Sequence, residues 1–262
     1  MRITVVGAGA SGLGCAVELA RENNVTVVDR LPVPGGETGW QNPEIQAFFK
    51  TAKELGVSFE LGSMATHWDG TTLLTVSPLG TQKIKSEYLF FAGGIRPATS
   101  AEIGLTGDRP AGLFPATVAL HLLESGVLLW RNAVVVGDGH WASKTIEVIT
   151  KLGGKCTSIV SDDTEMEATS RNIVNASNFR VRGTTRVEIF ECDVAKKTLS
   201  IECDAVILAG PAHPNRNIDG ALTDFGTKHI FVQSTTLVSP KSRFEHGRIE
   251  ARIWADALGE IT

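Results

Sequence analysis

The sequence is short of paired cysteine. Its four cysteines, Cys15, Cys156, Cys192 and Cys203, include no Cys-x-x-Cys pair, so neither a zinc clip nor a local redox dithiol is expected. Net charge is also small, formally −4, without the basic excess that a nucleic-acid surface needs. Long apolar runs are missing. Nothing approaches the roughly 20 residues that span a bilayer, and "MRITVVGAGASG" breaks its apolar run with glycine too early for a secretory signal. A cytoplasmic protein without a transmembrane segment is the expectation. None of the six histidines forms a metal-ligand pair at helical spacing, and no Ser-His-Asp or Cys-His arrangement is recognisable, which leaves any catalytic residue open. What remains is ordinary for a soluble enzyme. Hydrophobic residues make up 42% and charged residues 21% of 262, enough chain for one large domain or two small ones.

Glycine is where the information lies. "RITVV" has the β-branched character of a strand buried on both faces. "GAGASG" follows, then "LGCAVELARE" as a helix, then "VTVVD" as a second buried strand ending at Asp29. That order is a βαβ unit. Gly7, Gly9 and Gly12 complete G-x-G-x-x-G. The first glycine allows a sharp turn, the second lets the backbone approach a pyrophosphate, and the third lets helix and strand pack closely. Free amides and the dipole at the helix start hold phosphate charge. Asp29 stands seventeen residues beyond Gly12, at the strand end where a carboxylate binds ribose hydroxyls. Strand, turn, helix and acid agree on dinucleotide binding.

"LPVPGGETGW" reads as a loop. "PEIQAFFKTAKELG", with Pro43 near its start and Gly56 after its end, reads as a helix. Strands and turns are expected from "VSFELGSMATHW" to "TQKIKSEYLFFAGG". From Pro115 the pattern repeats: "PATVALHLLESG" is helical, and "NAVVVGDGHWASKTIEVITKLGGKCTSIV" is again strand, glycine turn, helix, strand. Gly137, Gly139 and Ala142 form the second turn. Aligning "VTVVD" with "TSIVS" puts Ser161 where Asp29 stands, with Asp162 next to it and able to reach a ribose. No arginine lies near that strand end, which favours NAD over NADP. His140 and Trp141 are bulky enough to fill the nucleotide groove, so this turn either binds NAD(H) or keeps only the fold. "RVEIFECDVAKKTLSIECDAVILAG" reads as a hairpin feeding a buried strand, with Cys192 and Cys203 facing across it, and "RIEARIWADALG" as a final helix. Trp40, Phe48 and Phe49 suit a core or a subunit interface.

Three further segments carry a family likeness: "PGGETGW", "EYLFFAGGIRP" (Ala92-Gly93-Gly94 in place of Ala-Thr-Gly) and "DAVILAGPAHPN". With the two turns, they resemble the two-dinucleotide-binding-domain flavoproteins, the FAD- and NAD(P)-dependent oxidoreductases. "AGLFPATVALHLLESGVLLWRNAVVVGDG" is most similar to FAD subunits of heteromeric amine and amino-acid dehydrogenases: dye-linked proline dehydrogenase, octopine and nopaline oxidases, hydrogen cyanide synthase and heteromeric sarcosine oxidase. The resemblance implies an α/β fold of two Rossmann-like domains, each three-layered around a parallel sheet, with a small antiparallel β-meander. Residues 1–108 with 213–262 would bind FAD, and 109–212 would be NAD(P)-binding-like. Ala8, Gly9, Ala10 and Ser11 would lie along the pyrophosphate. Asp29, with Arg30 beside it, would take the adenosine ribose. Gly36 and Glu37 would approach the adenosine or ribityl side, Ala65 the adenine, and Ala92 and Gly93 the cofactor's edge. Ser234 and Thr235 stand where the family has the Gly-Asp that holds the ribityl side. Gly137, Gly139, Ala142 and Asp162 would meet NAD. The implied role is the FAD-binding subunit of a heteromeric dehydrogenase, with the small-molecule substrate on a partner, because the short connections leave no segment for a substrate pocket. A self-contained NADH-dependent flavin reductase and a non-catalytic structural subunit are the alternatives.

Overall fold

The computed structural model describes residues 1–162, 171–215, 228–232 and 239–259. The chain divides into two compact units, Met1–Ile95 with Pro214–Thr262, and Arg96–His213.

In chain order the first unit contains β1 (Arg2–Val6), α1 (Ala10–Leu19), β2 (Asn24–Asp29), a single 3-10 turn at Gly36–Thr38, α2 (Pro43–Glu54), β3 (Ser58–Leu61), β4 (Met64–Trp68), β5 (Thr72–Ser77), β6 (Gly80–Lys85) and β7 (Tyr88–Phe91). Ile95–Pro97 (β8) leads out of it. The second unit contains β9 (Thr106–Gly107), β10 (Leu113–Pro115), α3 (Ala116–Glu124), β11 (Asn132–Val136), α4 (Gly139–Lys151), β12 (Lys155–Ile159), β13 (Arg171–Ile173), β14 (Ser177–Arg182), β15 (Ile189–Val194), β16 (Lys197–Glu202) and β17 (Ala205–Leu208). Ala212–Pro214 (β18) leads back, and β19 (His229–Phe231) and α5 (Pro240–Gly259) complete the first unit.

Among the described residues the first unit's main sheet runs β19-β7-β1-β2-β3, every pair parallel. Its strands are apolar on both faces, and the strand period of two decides where each residue goes. Val5, Val27 and Phe90 pack into one core with Leu13 of α1, Ile45 and Ala52 of α2, and Phe244, Ala251 and Trp254 of α5. Val28 and Leu89 point the other way, against Trp68 and Leu73 of the antiparallel meander β4-β5-β6. The expected three layers are therefore present.

The second unit repeats this plan. Its parallel sheet runs β10-β17-β11-β12-β13 among the described residues. Val134, Val136, Ile159, Val206 and Leu208 pack on Phe179, Val181, Phe190 and Ile201 of the antiparallel strands β14 to β16, while α3 and α4 lie against the sheet and each other. β11, β12, β13 and β17 occupy the places of β1, β2, β3 and β7.

Three expectations need correcting. The first boundary falls after Ile95 rather than at 108, because Thr106 and Gly107 pair with Arg180 and Val181 of the second unit. The final helix starts at Pro240, before the segment that reads as helical, because Gly247 is a contact and not a break: a Cβ there would strike the Ser11 carbonyl of α1. Cys192 lies opposite Leu199, not Cys203, and all four cysteines are free and buried. Trp40, Phe48 and Phe49 take the core alternative, partly buried against the first unit's core. Phe48 stacks on Phe244 at 3.9 Å, and Phe49 packs against Trp40 and Phe59 at 5.5 and 4.6 Å between ring centres.

Candidate nucleotide-binding site

At the end of β1 the Gly7 N–H donates to the Val28 carbonyl at 2.8 Å, and the Ala92 N–H donates to Val6 at 2.8 Å. The tip of β7 is thereby drawn under the turn. Gly7 has φ +111, and a Cβ on it would collide with the Ala92 carbonyl; one on Gly12 would collide with the Gly7 carbonyl. Packing alone demands both glycines. Gly9 is different. It caps α1 with an ordinary φ of −73, and a Cβ built on it meets nothing within 4 Å. The folded chain has no use for glycine there, but a phosphate needing close backbone approach does.

The start of α1 is equally ready for an anion. No side chain caps it and no acidic residue lies in its first turn. Its leading amides, including those of Ala10, Ser11 and Gly12, thus keep their donor capacity and the positive end of the helix dipole.

Asp29 closes this turn. It is only 9% exposed; one carboxylate oxygen accepts from the Ala8 N–H at 2.6 Å and the other from the Leu31 N–H at 2.8 Å. Each oxygen keeps a lone pair for a ribose hydroxyl. The following loop folds back, with the Gly35 N–H on the Ala8 carbonyl at 2.9 Å. A Cβ on Gly36 would come within 3.4 Å of Gly9 Cα. Glu37 pairs with Arg243 of α5 at 3.5 Å. Arg30 is exposed beside Asp29. Ser63 donates its N–H to the Asp29 carbonyl at 2.9 Å, which brings Ala65 of β4 to the acid's side of the turn.

The structure thus gathers Gly7 to Gly12, Asp29, Gly36, Ala92 and Gly93 around one turn, with Ala65 and Glu37 at its margins. Ser234 and Thr235 lie outside the described residues. Sequence reading passed over Asn215, whose side-chain amide donates to the Gly93 carbonyl at 3.0 Å; its only signal was its place at the end of "GPAHPN".

The second turn is a copy with changed chemistry. The Gly137 N–H donates to Ile159 at 2.9 Å and the Ala209 N–H to Val136 at 2.8 Å, matching the Gly7–Val28 and Ala92–Val6 bonds. A Cβ on Gly137 would come within 2.6 Å of the Gly210 nitrogen. This register makes Ile159 the counterpart of Val28, so Val160, not Ser161, stands where Asp29 stands. Val160 is 3% exposed. Asp162 is two residues further on, its carbonyl accepting the Asn175 N–H at 3.0 Å. A Cβ on Gly139 would also meet nothing within 4 Å, but its φ of +78 favours glycine without any ligand, and Asp138 is the N-cap residue of α4 at the position of Ala8. Trp141 is turned inward at 2% exposure, with Ala142 buried beside it; His140 is exposed. The indole belongs to the interior.

The thiols are chemically quiet. Burial pushes Cys156 and Cys203 up to about 12, and Cys15 and Cys192 upward as well. Among the described residues no cluster of His, Cys, Asp and Glu could hold a metal ion, and no helix is long and apolar enough to cross a membrane.

Residues 1–114 match the sequence model of a family described as pyridine nucleotide-disulphide oxidoreductase. Over these residues the chain is similar to that family. FAD and NAD(P) are the family's cofactors, and the expected class, an FAD-dependent oxidoreductase, stands. A thioredoxin reductase of Bacillus subtilis is 24% identical over 59% of the chain, a match spanning about half (52%) of that protein. A ferredoxin–NADP reductase of Salinispora arenicola is 27% identical over 98% of the chain and 90% of its own length. Among solved structures, T. acidophilum thioredoxin reductase superposes with a TM-score of 0.69 at 16% identity, covering 98% of both chains. L-proline dehydrogenase from P. horikoshii gives 0.66 at 16%, covering 99% of this chain and 56% of the other. These superpositions bear out the α/β fold with parallel-sheet nucleotide-binding domains. Unlike the disulphide in the family's description, no cysteine pair stands near the first turn.

Proposed function

We propose that this chain is the FAD-binding subunit of a heteromeric amine or amino-acid dehydrogenase, holding the flavin nucleotide at the turn of Gly7 to Gly12. The observation that carries the reading is the open space at Gly9, between two glycines that packing already explains. The amides of Ala10, Ser11 and Gly12 would hold the pyrophosphate, and Asp29 the adenosine ribose. Gly36 and Ala92–Gly93 flank the same turn and would limit water on its sides. FAD, when bound, supplies hydride acceptance; the chain supplies binding, orientation and electrostatics. Cys15, Cys156, Cys192 and Cys203 are free and buried, so the chain itself offers no dithiol relay. The heteromeric assignment draws support from the likeness to L-proline dehydrogenase, which is longer than the matched region, and from Val160 in place of a ribose-binding acid in the second unit.

A second reading is a self-contained NADH-dependent flavin reductase. It is favoured by the extent of the match to ferredoxin–NADP reductase and to thioredoxin reductase. One experiment separates the two. The purified chain should carry FAD, identified by its visible spectrum and by the released cofactor, and Gly9→Val should lose it. Anaerobic NADH added to the chain alone should leave the flavin oxidised, with reduction appearing once the dehydrogenase partner and its substrate are present. Rapid bleaching by NADH without a partner would establish the reductase instead.

A further inference from the structure

The turn that closes the first site is built of adjacent glycines. Ala92 supplies the carbonyl that makes glycine obligatory at position 7, yet Gly93 and Gly94 follow it at once, and Gly94 sits at φ +76. Glycine pairs have much conformational freedom to lose, so something must hold this segment still. No side chain at 93 can do so, because a Cβ there would meet the Phe91 ring at 2.6 Å.

We propose that Asn215 is a positioning residue for the flavin nucleotide, acting by clamping the Ala92–Gly94 turn under Gly7. Its side-chain amide donates to the Gly93 carbonyl at 3.0 Å, and its main-chain N–H donates to the Gly94 carbonyl at 2.8 Å. Two consecutive carbonyls are held by one residue, and both bonds lie within the first unit. A backbone that must present fixed amides and a fixed approach distance to a pyrophosphate gains affinity from this preorganisation. The side-chain bond is the one that Asn215→Ala or Asn215→Asp removes; the main-chain bond needs only a backbone N–H and is kept in both. Asn215 would not touch the reacting atoms.

The inference rests on the proposed FAD site, and its test keeps the two apart. Asn215→Ala and the isosteric Asn215→Asp would be prepared as apoproteins beside the parent and Gly9→Val. FAD would be titrated by quenching of flavin fluorescence, and each apoprotein melted. Loss of one hydrogen bond should raise the FAD Kd about threefold to tenfold in Asn215→Ala. Asn215→Asp should weaken binding at least as much, since a carboxylate cannot donate to the Gly93 carbonyl. Faster FAD release and a changed visible circular dichroism of bound flavin should accompany both. The apoprotein melting temperatures should stay close to the parent's. An unchanged Kd in both variants, with the parent binding FAD, would overturn the role of Asn215 alone. Lower apoprotein melting with parental FAD affinity would reduce it to a structural residue. A parent that binds no FAD would overturn the site itself and this inference with it.

Discussion

At the scale of single residues, the first turn separates glycines that the fold needs from one that a ligand needs. Gly7→Ala sets a Cβ against the Ala92 carbonyl in a left-handed conformation. It should cost on the order of 1–3 kcal/mol in urea unfolding and lose FAD as well. Gly9→Val enters open space at an ordinary φ; its unfolding midpoint should match the parent's while FAD is lost. A Gly9→Val variant with full FAD content would remove the central support for the site. The thiols give a second residue-scale prediction. With all four buried and raised above the usual thiol range, a thiol-reactive dye at pH 8 should label none of them until denaturant is added. Fast labelling of one cysteine in the native protein would contradict the burial described here.

Among elements, α1 and α5 cross in close contact. Gly14 meets the Phe244 backbone and Gly247 meets that of Ser11, so two helices touch main chain to main chain beneath the nucleotide turn. Glu18 locks them. It takes Arg248 at 2.9 Å and Arg252 at 3.2 Å. Burial works against its carboxylate, but the bonds from Arg248 and Arg252 and the nearby Arg21 outweigh that and hold it below the ordinary value. A carboxyl whose affinity for protons is lower folded than unfolded stabilises the fold at pH values above its unfolded titration. That contribution is lost as pH falls through the folded value. Glu18→Gln should therefore cost about 1–2 kcal/mol at pH 7 and flatten the acid limb of stability against pH between roughly pH 5 and 2. An identical acid limb in the variant would show that other carboxylates carry it.

For the whole molecule, two units share one plan but differ at one decisive position each. In the first, Asp29 ties the strand end to the turn through Ala8. In the second, the acid has become Val160, and an acid, Asp138, stands where Ala8 stands. Placing a carboxylate at 160 alone would bring two like charges to the turn, so the informative variant is Val160→Asp combined with Asp138→Ala. Binding of NADH, followed by quenching of its fluorescence, should be tighter in this double variant than in the parent by about tenfold, the effect of roughly 1.4 kcal/mol gained from a ribose-binding carboxylate. Equal or weaker binding would mean that the second turn does not address a nucleotide ribose through this position.

The sequence by itself determined the duplication, the first turn and its acid, the buried parallel strands and the want of a dithiol. Each of these is written in local pattern: glycine spacing, β-branched runs, a strand end seventeen residues beyond Gly12, an absent Cys-x-x-Cys. It also placed the hairpin of β15 and β16. It misjudged what depends on distant partners. Ser161 looked like the counterpart of Asp29 because an ungapped alignment cannot see that Gly137 bonds to Ile159. Trp141 looked like an obstruction because a motif does not say that a side chain turns inward. The final helix looked to begin at Arg248, when it runs from Pro240 through Gly247, whose hydrogen admits the backbone of α1. Only the tertiary structure decided which glycines are spent on packing and which are left for a ligand, and only it brought Asn215 to Gly93 across 122 residues of chain. The reason is physical: local pattern fixes the preferences of a segment, whereas register, close approach and hydrogen-bond partners are fixed by what the rest of the chain brings against it.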